Sequence, residues 1–365
     1  MSLSQSTNFL LTRVLLNFAD ETEAIISDIS AAAFSPDGSL WIGSDEMIGV
    51  ERLSPVGCHN YGEHQRFLLQ DYIDLFNTDE EIDIEGMDFA DGYLWLTGSH
   101  STKRKKPKKD DLTENLERIA TITTDLNRFI LARIPVVNGK LVKSFSPQED
   151  TSLTAACLQT TAQRNILFEA LSEDRHLKPF INMSIPSKDN GLDIEGLAFK
   201  DQRLFLGLRG PVLRGWAIIL ELKLTETEPG TLEFKEINND GAKYKKYFLD
   251  LNGLGVRELC WQGDDLLILA GPTMAIEGAM QVFRWCDAAQ GDRDLDTIQR
   301  QDEDELFPLF NLPFTIGSDH AEGLTLFSCY GEDGLMVFYD SPNPNRIRKD
   351  RQIFADVFRI QTNLG

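Results

Sequence analysis

Asp193-Ile194-Glu195-Gly196-Leu197-Ala198-Phe199 reads as a short apolar strand with an acid at its start. Lys200-Asp201-Gln202-Arg203 follows as a turn, and Leu204-Phe205-Leu206-Gly207-Leu208 as the returning strand. Trp216 to Leu222 gives a third strand, and Leu232 to Ile237 is expected to be a fourth. The opening phrase recurs. Asp83-Ile84-Glu85-Gly86-Met87-Asp88-Phe89, Val256-Arg257-Glu258-Leu259-Cys260-Trp261 and His320-Ala321-Glu322-Gly323-Leu324 are copies, and Ile29-Ser30-Ala31-Ala32-Ala33-Phe34 is a weaker one. Turn residues and a second apolar run come after each. Pro36-Asp37-Gly38-Ser39 precedes Leu40-Trp41-Ile42, Asp91-Gly92 precedes Tyr93-Leu94-Trp95-Leu96, and Gly263-Asp264-Asp265 precedes Leu266-Leu267-Ile268-Leu269. A repeated unit of short antiparallel strands marks an all-β fold of the β-propeller kind.

The spacing of the anchors sets the blade count. Ser30 to Glu85 is 55 residues, Glu85 to Glu195 is 110, Glu195 to Arg257 is 62 and Arg257 to Glu322 is 65. The long gap holds either two blades or one blade with an insertion. The insertion reading gives five blades; six is the alternative. Phe129 to Val137 and Leu141 to Phe145 then serve as outer strands of the second blade. Period-two alternation is lost over about 151–178, where Thr154 to Gln163 and Asn165 to Ser172 read as helices. A polar insertion over about 101–119 reads as a loop leading to a short helix. The strand-like run over about 9–18 precedes the first repeat and is expected to complete the last blade, which removes two exposed sheet edges at once. The whole chain, 1–365, then forms a single domain.

Composition narrows the function. Against 36 Lys and Arg stand 58 Asp and Glu, a formal charge of −22. Such a surface repels nucleic acid and anionic membranes, so neither is expected as a partner. Cys58, Cys157, Cys260, Cys286 and Cys329 are odd in number and lack metal-ligand spacing. Reduced thiols and a cytoplasmic setting are the expectation. Met1 to Asn8 is polar, without the basic and apolar regions of a leader, and no run approaches the ~18 apolar residues of a membrane span. Gly-x-Ser-x-Gly, the P-loop and His-Glu-x-x-His are all missing.

The acid in the repeat is the functional signal, because a structural repeat needs apolar residues and turns but no carboxylate. The first strand of each blade lines the channel. Its start shares a rim with the end of the second strand, so several residues are expected to meet there. Glu85, Glu195, Glu258 and Glu322, with Asp45 after the second strand of blade one, are candidate metal or ligand groups. Asp83, Asp193 and His320 are secondary candidates. His100, Arg209, Arg214 and Arg257 are candidate catalytic residues, the histidine for proton transfer and the arginines for holding an anion. Converging carboxylates suit a hard cation such as Ca²⁺. The same groups also suit a structural network of Glu–Arg pairs. The basic run Lys103-Arg104-Lys105-Lys106-Pro107-Lys108-Lys109 follows His100 directly and reads as a rim loop, either an arm that attracts an anion or a solvated loop.

Lys188-Asp189-Asn190-Gly191-Leu192-Asp193-Ile194-Glu195-Gly196-Leu197 and Gly207-Leu208-Arg209-Gly210-Pro211-Val212-Leu213-Arg214-Gly215-Trp216-Ala217 resemble the hallmark of a bacterial domain-of-unknown-function family. Gly98-Ser99-His100-Ser101 and Ala321-Glu322-Gly323-Leu324 fit it too. More distantly the Glu-Gly-Leu repeats are similar to esterase-like phytases, gluconolactonase-type lactonases and strictosidine-synthase-like proteins. That resemblance implies a divalent cation among channel carboxylates, although Ser30 breaks a complete ring of acids. Two readings follow. One is a Ca²⁺-assisted hydrolase of phosphorylated or ester-bearing small molecules. The other is a non-catalytic propeller that binds a small anionic ligand or a protein, with the Glu/Arg network structural. The sequence assigns no oligomeric state.

Overall fold

The computed structural model describes residues 10–19, 23–108, 111–148, 151–162, 164–237, 241–290, 293–303, 305–349 and 351–360. Of the segments read above, Met1 to Phe9, Lys109, Asp110 and Gln163 lie outside the described residues.

Five inner strands stand around one axis. They are Ile29–Phe34, Ile84–Ala90, Asp193–Lys200, Gly255–Gln262 and His320–Cys329, and each packs against the next until the fifth meets the first. Each begins a meander of antiparallel strands that runs outward as a blade. The chain is a five-bladed β-propeller. The N-terminal strand Leu10–Asn17 pairs antiparallel with Gln352–Arg359 as the outer strand of blade five. It also runs parallel to Asn60–Leu68 of blade one, so chain start and chain end are locked into one sheet. Ring closure leaves no open edge at this seam.

The turns follow their residues. Asp91 and Gly92 both adopt positive φ, the conformation that a two-residue hairpin with right-twisted strands requires. The apolar faces are buried between blades. Trp95 of blade two stacks on Phe199 of blade three with ring centroids 4.5 Å apart, inside a cluster that draws on both sheets. Backbone donors between blades are met by acids. Asp88 accepts from Phe199 N–H at 2.8 Å, and Glu258 accepts from Leu197 N–H at 3.1 Å.

Two expected elements are corrected. Leu232 to Ile237 is not the fourth strand of blade three. Leu224–Glu228 and Thr231–Phe234 form a hairpin around Gly230 that joins the edge of blade two, where Thr231 and Leu232 run parallel to Cys157 and Leu158. Tyr244–Asp250, with more buried apolar surface, takes the fourth place in blade three. Thr154 to Ala162, the described part of the expected helix, is not helical either. Thr151–Thr154 and Ala156–Leu158 are strands, since β-branched threonines and an open sheet edge at Ala132 and Arg133 outweigh a weak helical pattern. The other helix is present as Ile166–Ser172, capped by the Asn165 side chain accepting from Phe168 N–H at 2.9 Å. In the basic insertion, Lys103–Arg104 pairs with Ile122–Thr123 and the helix Leu112–Ala120 lies between them. No helix among the described residues is long and apolar enough to cross a membrane.

Candidate channel-mouth site

In every inner strand the hairpin register slips at the same place. The slips fall between Ile29 and Ala31, Ile84 and Gly86, Ile194 and Gly196, Val256 and Glu258, and Ala321 and Leu324. The residues left over are Ser30, Glu85, Glu195, Arg257 and, with Gly323, Glu322. A β-bulge leaves its extra residue unpaired and re-aims the side chain. The repeated sequence position is therefore a repeated bulge, and it turns five side chains toward the axis.

Three of them enter one chain of ion pairs. Arg209, late in the second strand of blade three, contacts Asp193 and lies 2.6 Å from Glu195 Oε1. Glu195 Oε2 is 2.9 Å from Arg257 Nε, and the far side of the Arg257 guanidinium meets Glu322. Blades three, four and five are thus joined by alternating charge. Burial pushes the Asp193 and Glu322 carboxyls upward, against the pull of Arg209 and Arg257 respectively. Blade one contributes Ser30, whose hydroxyl donates to the Ile84 carbonyl.

A separate cluster forms between blades one and two. Asp45, Asp83 and Glu85 each offer a carboxylate oxygen, and these lie within 4.8 Å of one another. Asp83 gives Oδ1 to Arg128 at 2.5 Å, while its Oδ2 is buried without a hydrogen-bond partner; the residue is 4% exposed. Neither Asp45 nor Glu85 pairs with a cation among the described residues. Burial, then repulsion from Asp83, pushes the Asp45 carboxyl up to about 7. Burial and the charges of Asp83, Glu195 and Glu322 hold Glu85 well above the usual carboxylate range. Burial also raises Asp83, with Arg128 pulling the other way. Asp45, Asp83, Glu85, Asp193, Glu195 and Glu322 face the guanidiniums of Arg128, Arg209 and Arg257. The deficit of positive charge falls on the Asp45–Asp83–Glu85 side. All-oxygen donors, an orphaned carboxylate oxygen and that deficit fit a hard divalent cation.

The other expected residues divide. Glu258 is fully buried and points away from the axis, accepting from Leu197 and Leu259 N–H. Burial holds it well above the usual range, yet its role is to join blades three and four. His100 is 1% exposed; Nδ1 bonds the Gly98 carbonyl at 3.0 Å and Nε2 the Asn165 amide at 2.8 Å. Burial lowers it to about 4, so the imidazole is neutral, and with both nitrogens engaged it ties blade two to the helical insertion. Proton transfer at the channel is not available to it. Arg214 is exposed in the hairpin turn between Leu213 and Trp216, apart from the ion-pair chain. His320 does reach the mouth, with Glu277 at 3.5 Å and Asp340 at 3.6 Å. Arg128 was missed by sequence reading. It sits in the turn Leu126–Phe129 that follows the basic insertion, outside any repeat, and donates to Ser99 and Ser101 as well as Asp83.

A cavity of about 330 Å³ opens beside the ion-pair chain, on the side of blades four and five. Arg209, Arg257, His320 and Glu322 form its floor, and Lys106 of the basic loop reaches its edge.

Fold and site together define a five-bladed β-propeller with an acid-rich channel mouth, stapled by two arginines on one side and with Arg128 alone facing three acids on the other. The chain belongs to the family described as "Protein of unknown function (DUF3616)", which matches residues 28–356. No curated protein matches the sequence. Among solved structures, virginiamycin B lyase from Staphylococcus aureus is similar at 10% identity and a TM-score of 0.35, over 96% of this chain and 99% of that one. The PQQ-bound aldose sugar dehydrogenase from Streptomyces coelicolor gives 10% identity and 0.39, over 97% and 98%. A GH43 β-1,3-galactosidase gives 8% and 0.43, over 95% and 94%. Likenesses this weak bear on neither substrate nor chemistry. The assignment to a propeller rests on the closed ring of inner strands.

Proposed function

We propose that this protein binds a divalent cation, Ca²⁺ by preference, through Asp45, Asp83 and Glu85, and uses it with a small anionic ligand at the channel mouth. The observation that carries the reading is Asp83 Oδ2, buried and unpartnered beside two carboxylates that lack any cation. Leaving such a group unsatisfied costs roughly 1–3 kcal/mol, and a cation removes that cost. When bound, the cation would supply Lewis acidity toward an oxygen of the ligand. The chain's own residues then divide the work. Arg257 and Arg209 sit where negative charge would develop, each oriented by an acid on its far side. His320, on the cavity wall, holds or moves the proton in place of His100. The reaction class these parts serve is hydrolysis of a phosphorylated or ester-bearing small molecule. A reducing, cytoplasmic setting accords with five cysteines that are all free.

A second reading has a specific observation behind it. Both arginines already have carboxylate partners, as in a purely structural network. Calorimetric titration of the chelator-treated full chain with CaCl₂, MgCl₂ and MnCl₂ tests the cation site. Saturable Ca²⁺ binding that disappears in Asp45→Asn/Glu85→Gln is expected; no binding, or binding unchanged in the double variant, sinks it. Ca²⁺-dependent turnover of aryl phosphates or aryl esters separates the hydrolase from a binding propeller.

A further inference from the structure

We propose that the cavity between blades four and five takes an anionic amphiphile, a carboxylate or phosphate monoester attached to a short apolar body. This names the ligand class at the channel mouth proposed above and rests on that reading for a cation across the mouth from the cavity.

Acidic, cationic and apolar side chains meet at this cavity. The acids are engaged, Glu322 with Arg257, Asp319 with Arg346, and Glu277 and Asp340 with His320; the other two surfaces are not. The first is cationic. Lys106 comes from the basic insertion and Lys188 from the turn Ser187–Asp189 that precedes blade three. Both are exposed, and neither forms an ion pair among the described residues, although the chain carries a large excess of acids. They are held relative to each other, because Arg104 pairs with Asp189 at 2.7 Å and so docks the basic insertion onto the turn that carries Lys188. Two exposed ammoniums on segments docked together, neither in an ion pair among the described residues, are a place for an anion in a protein of charge −22.

The second surface is apolar. Met274, Ile276 and Phe314 line the cavity and are 47%, 60% and 47% exposed. Ile316, 80% exposed, continues the Phe314 loop. These side chains come from two separate rim loops, one after Gly271 and one after Asn311. Apolar side chains left in water singly are ordinary, but several converging on one concave site beside charge are the lining of a ligand pocket. A volume of about 330 Å³ lies at the small end of ligand pockets, which excludes a folded macromolecule and suits a small organic acid. An inorganic anion alone would leave the apolar wall bare. An apolar molecule alone would leave the lysines unpaired.

The test is calorimetric titration of the full chain, in chelator and again in CaCl₂, with butanoate, hexanoate and octanoate, and with inorganic phosphate against octyl phosphate. Saturable one-to-one binding is expected to tighten by about threefold per methylene, hence roughly 80-fold from butanoate to octanoate. Lys106→Ala/Lys188→Ala is expected to weaken octanoate about three- to tenfold while leaving octanol unchanged. Ile276→Ser/Phe314→Ser is expected to flatten the chain-length series while the shortest acid binds as before. Both pairs are solvent-exposed, so the fold survives, which circular dichroism checks. The relative strength of octanoate and octyl phosphate tells a carboxylate from a phosphate headgroup. Octanoate that binds no tighter than butanoate, or affinity indifferent to both lysines, overturns the proposal. The two readings fail separately. Octanoate bound in chelator without any Ca²⁺ site leaves the cavity and removes the cation; Ca²⁺ bound without octanoate does the reverse.

Discussion

Asp45→Asn is expected to stabilise the metal-free protein at pH 8, an unusual result for a mutation in a binding site. Asp45 is half-buried beside Asp83 and Glu85, and its carboxyl is raised from 3.8 to about 7. In the unfolded chain it reverts to the ordinary value. Between those two pH values the folded protein holds a proton that the unfolded chain has lost. Stability therefore falls as pH climbs from 3.8 toward 7 and levels off above. At ~1.36 kcal/mol per pKa unit, the ionised carboxylate destabilises the fold by at most about 4 kcal/mol at pH 8. Asparagine keeps the shape and removes the charge. A gain of even half that ceiling raises the melting temperature by roughly 3 °C in a domain of this size. The gain should fall by more than half at pH 5, where the native carboxyl is already protonated. Saturating CaCl₂ should reverse the ranking, since ligand at ~100 times its Kd adds about 2.7 kcal/mol to the wild type alone. Scanning calorimetry of both proteins at pH 5 and pH 8, in chelator and in CaCl₂, reads all four corners. An Asn variant no more stable than wild type at pH 8 in chelator, or one whose advantage ignores pH, refutes the reasoning.

Two further outcomes follow from the packing of the mouth. Arg257→Ala strands Glu322 and one oxygen of Glu195 in a buried setting and is expected to cost about 3–5 kcal/mol in urea unfolding, with Arg257→Lys recovering only part; a loss under ~1 kcal/mol would show the ion-pair chain to be incidental. Gly86→Ala would place a Cβ 2.9 Å from both the Leu197 amide nitrogen and Cβ of the next blade, so thermal unfolding should register about 1–3 kcal/mol of destabilisation with the circular dichroism spectrum retained.

The architecture was legible because its signals are local. Asp91-Gly92 specifies a hairpin without help from the rest of the chain, and the Glu-Gly phrase at Glu85, Glu195 and Glu322 marks the start of an inner strand, whereas the same phrase at Glu277 lies in a loop. The rim position of Glu85, Glu195, Arg257 and Glu322 followed from hairpin geometry alone. What could not be read depends on partners distant in sequence. Arg128 is brought to Asp83 by an insertion that belongs to no repeat. His100 looked free in the sequence because Asn165, the residue that occupies its Nε2, lies 65 positions away. The Leu224–Phe234 hairpin has an ordinary strand pattern, and nothing in it says which blade's edge it will join. The cavity is assembled from the least periodic segments, the loops around Ile276 and Phe314 and the basic insertion, where pattern carries no information about approach.

The mouth also shows why a raised carboxyl alone does not mark a site. Asp88, Glu258, Glu85 and Asp45 are all pushed upward, and burial is the leading cause in each. Strand position separates them. Glu258 stands one residue beyond the bulge, at the place that glycine fills in blades two, three and five, and there a side chain meets the neighbouring blade. It finds two backbone N–H donors at 2.8 and 3.1 Å, and Asp88 finds two at 2.8 Å. Two backbone donors each offset part of their desolvation within the fold, although both donors to Glu258 fall on Oε1 and leave Oε2 without a partner. Glu85 stands on the bulge itself, where the backbone has slipped out of register and the neighbouring donors are not aimed at it. Asp45 lies just past the end of the second strand and finds neither donor nor cation. A fold that repeats an acid in four of its five blades can spend most copies on its own cohesion. The copies left without donors are the ones whose charge must be met from outside the chain.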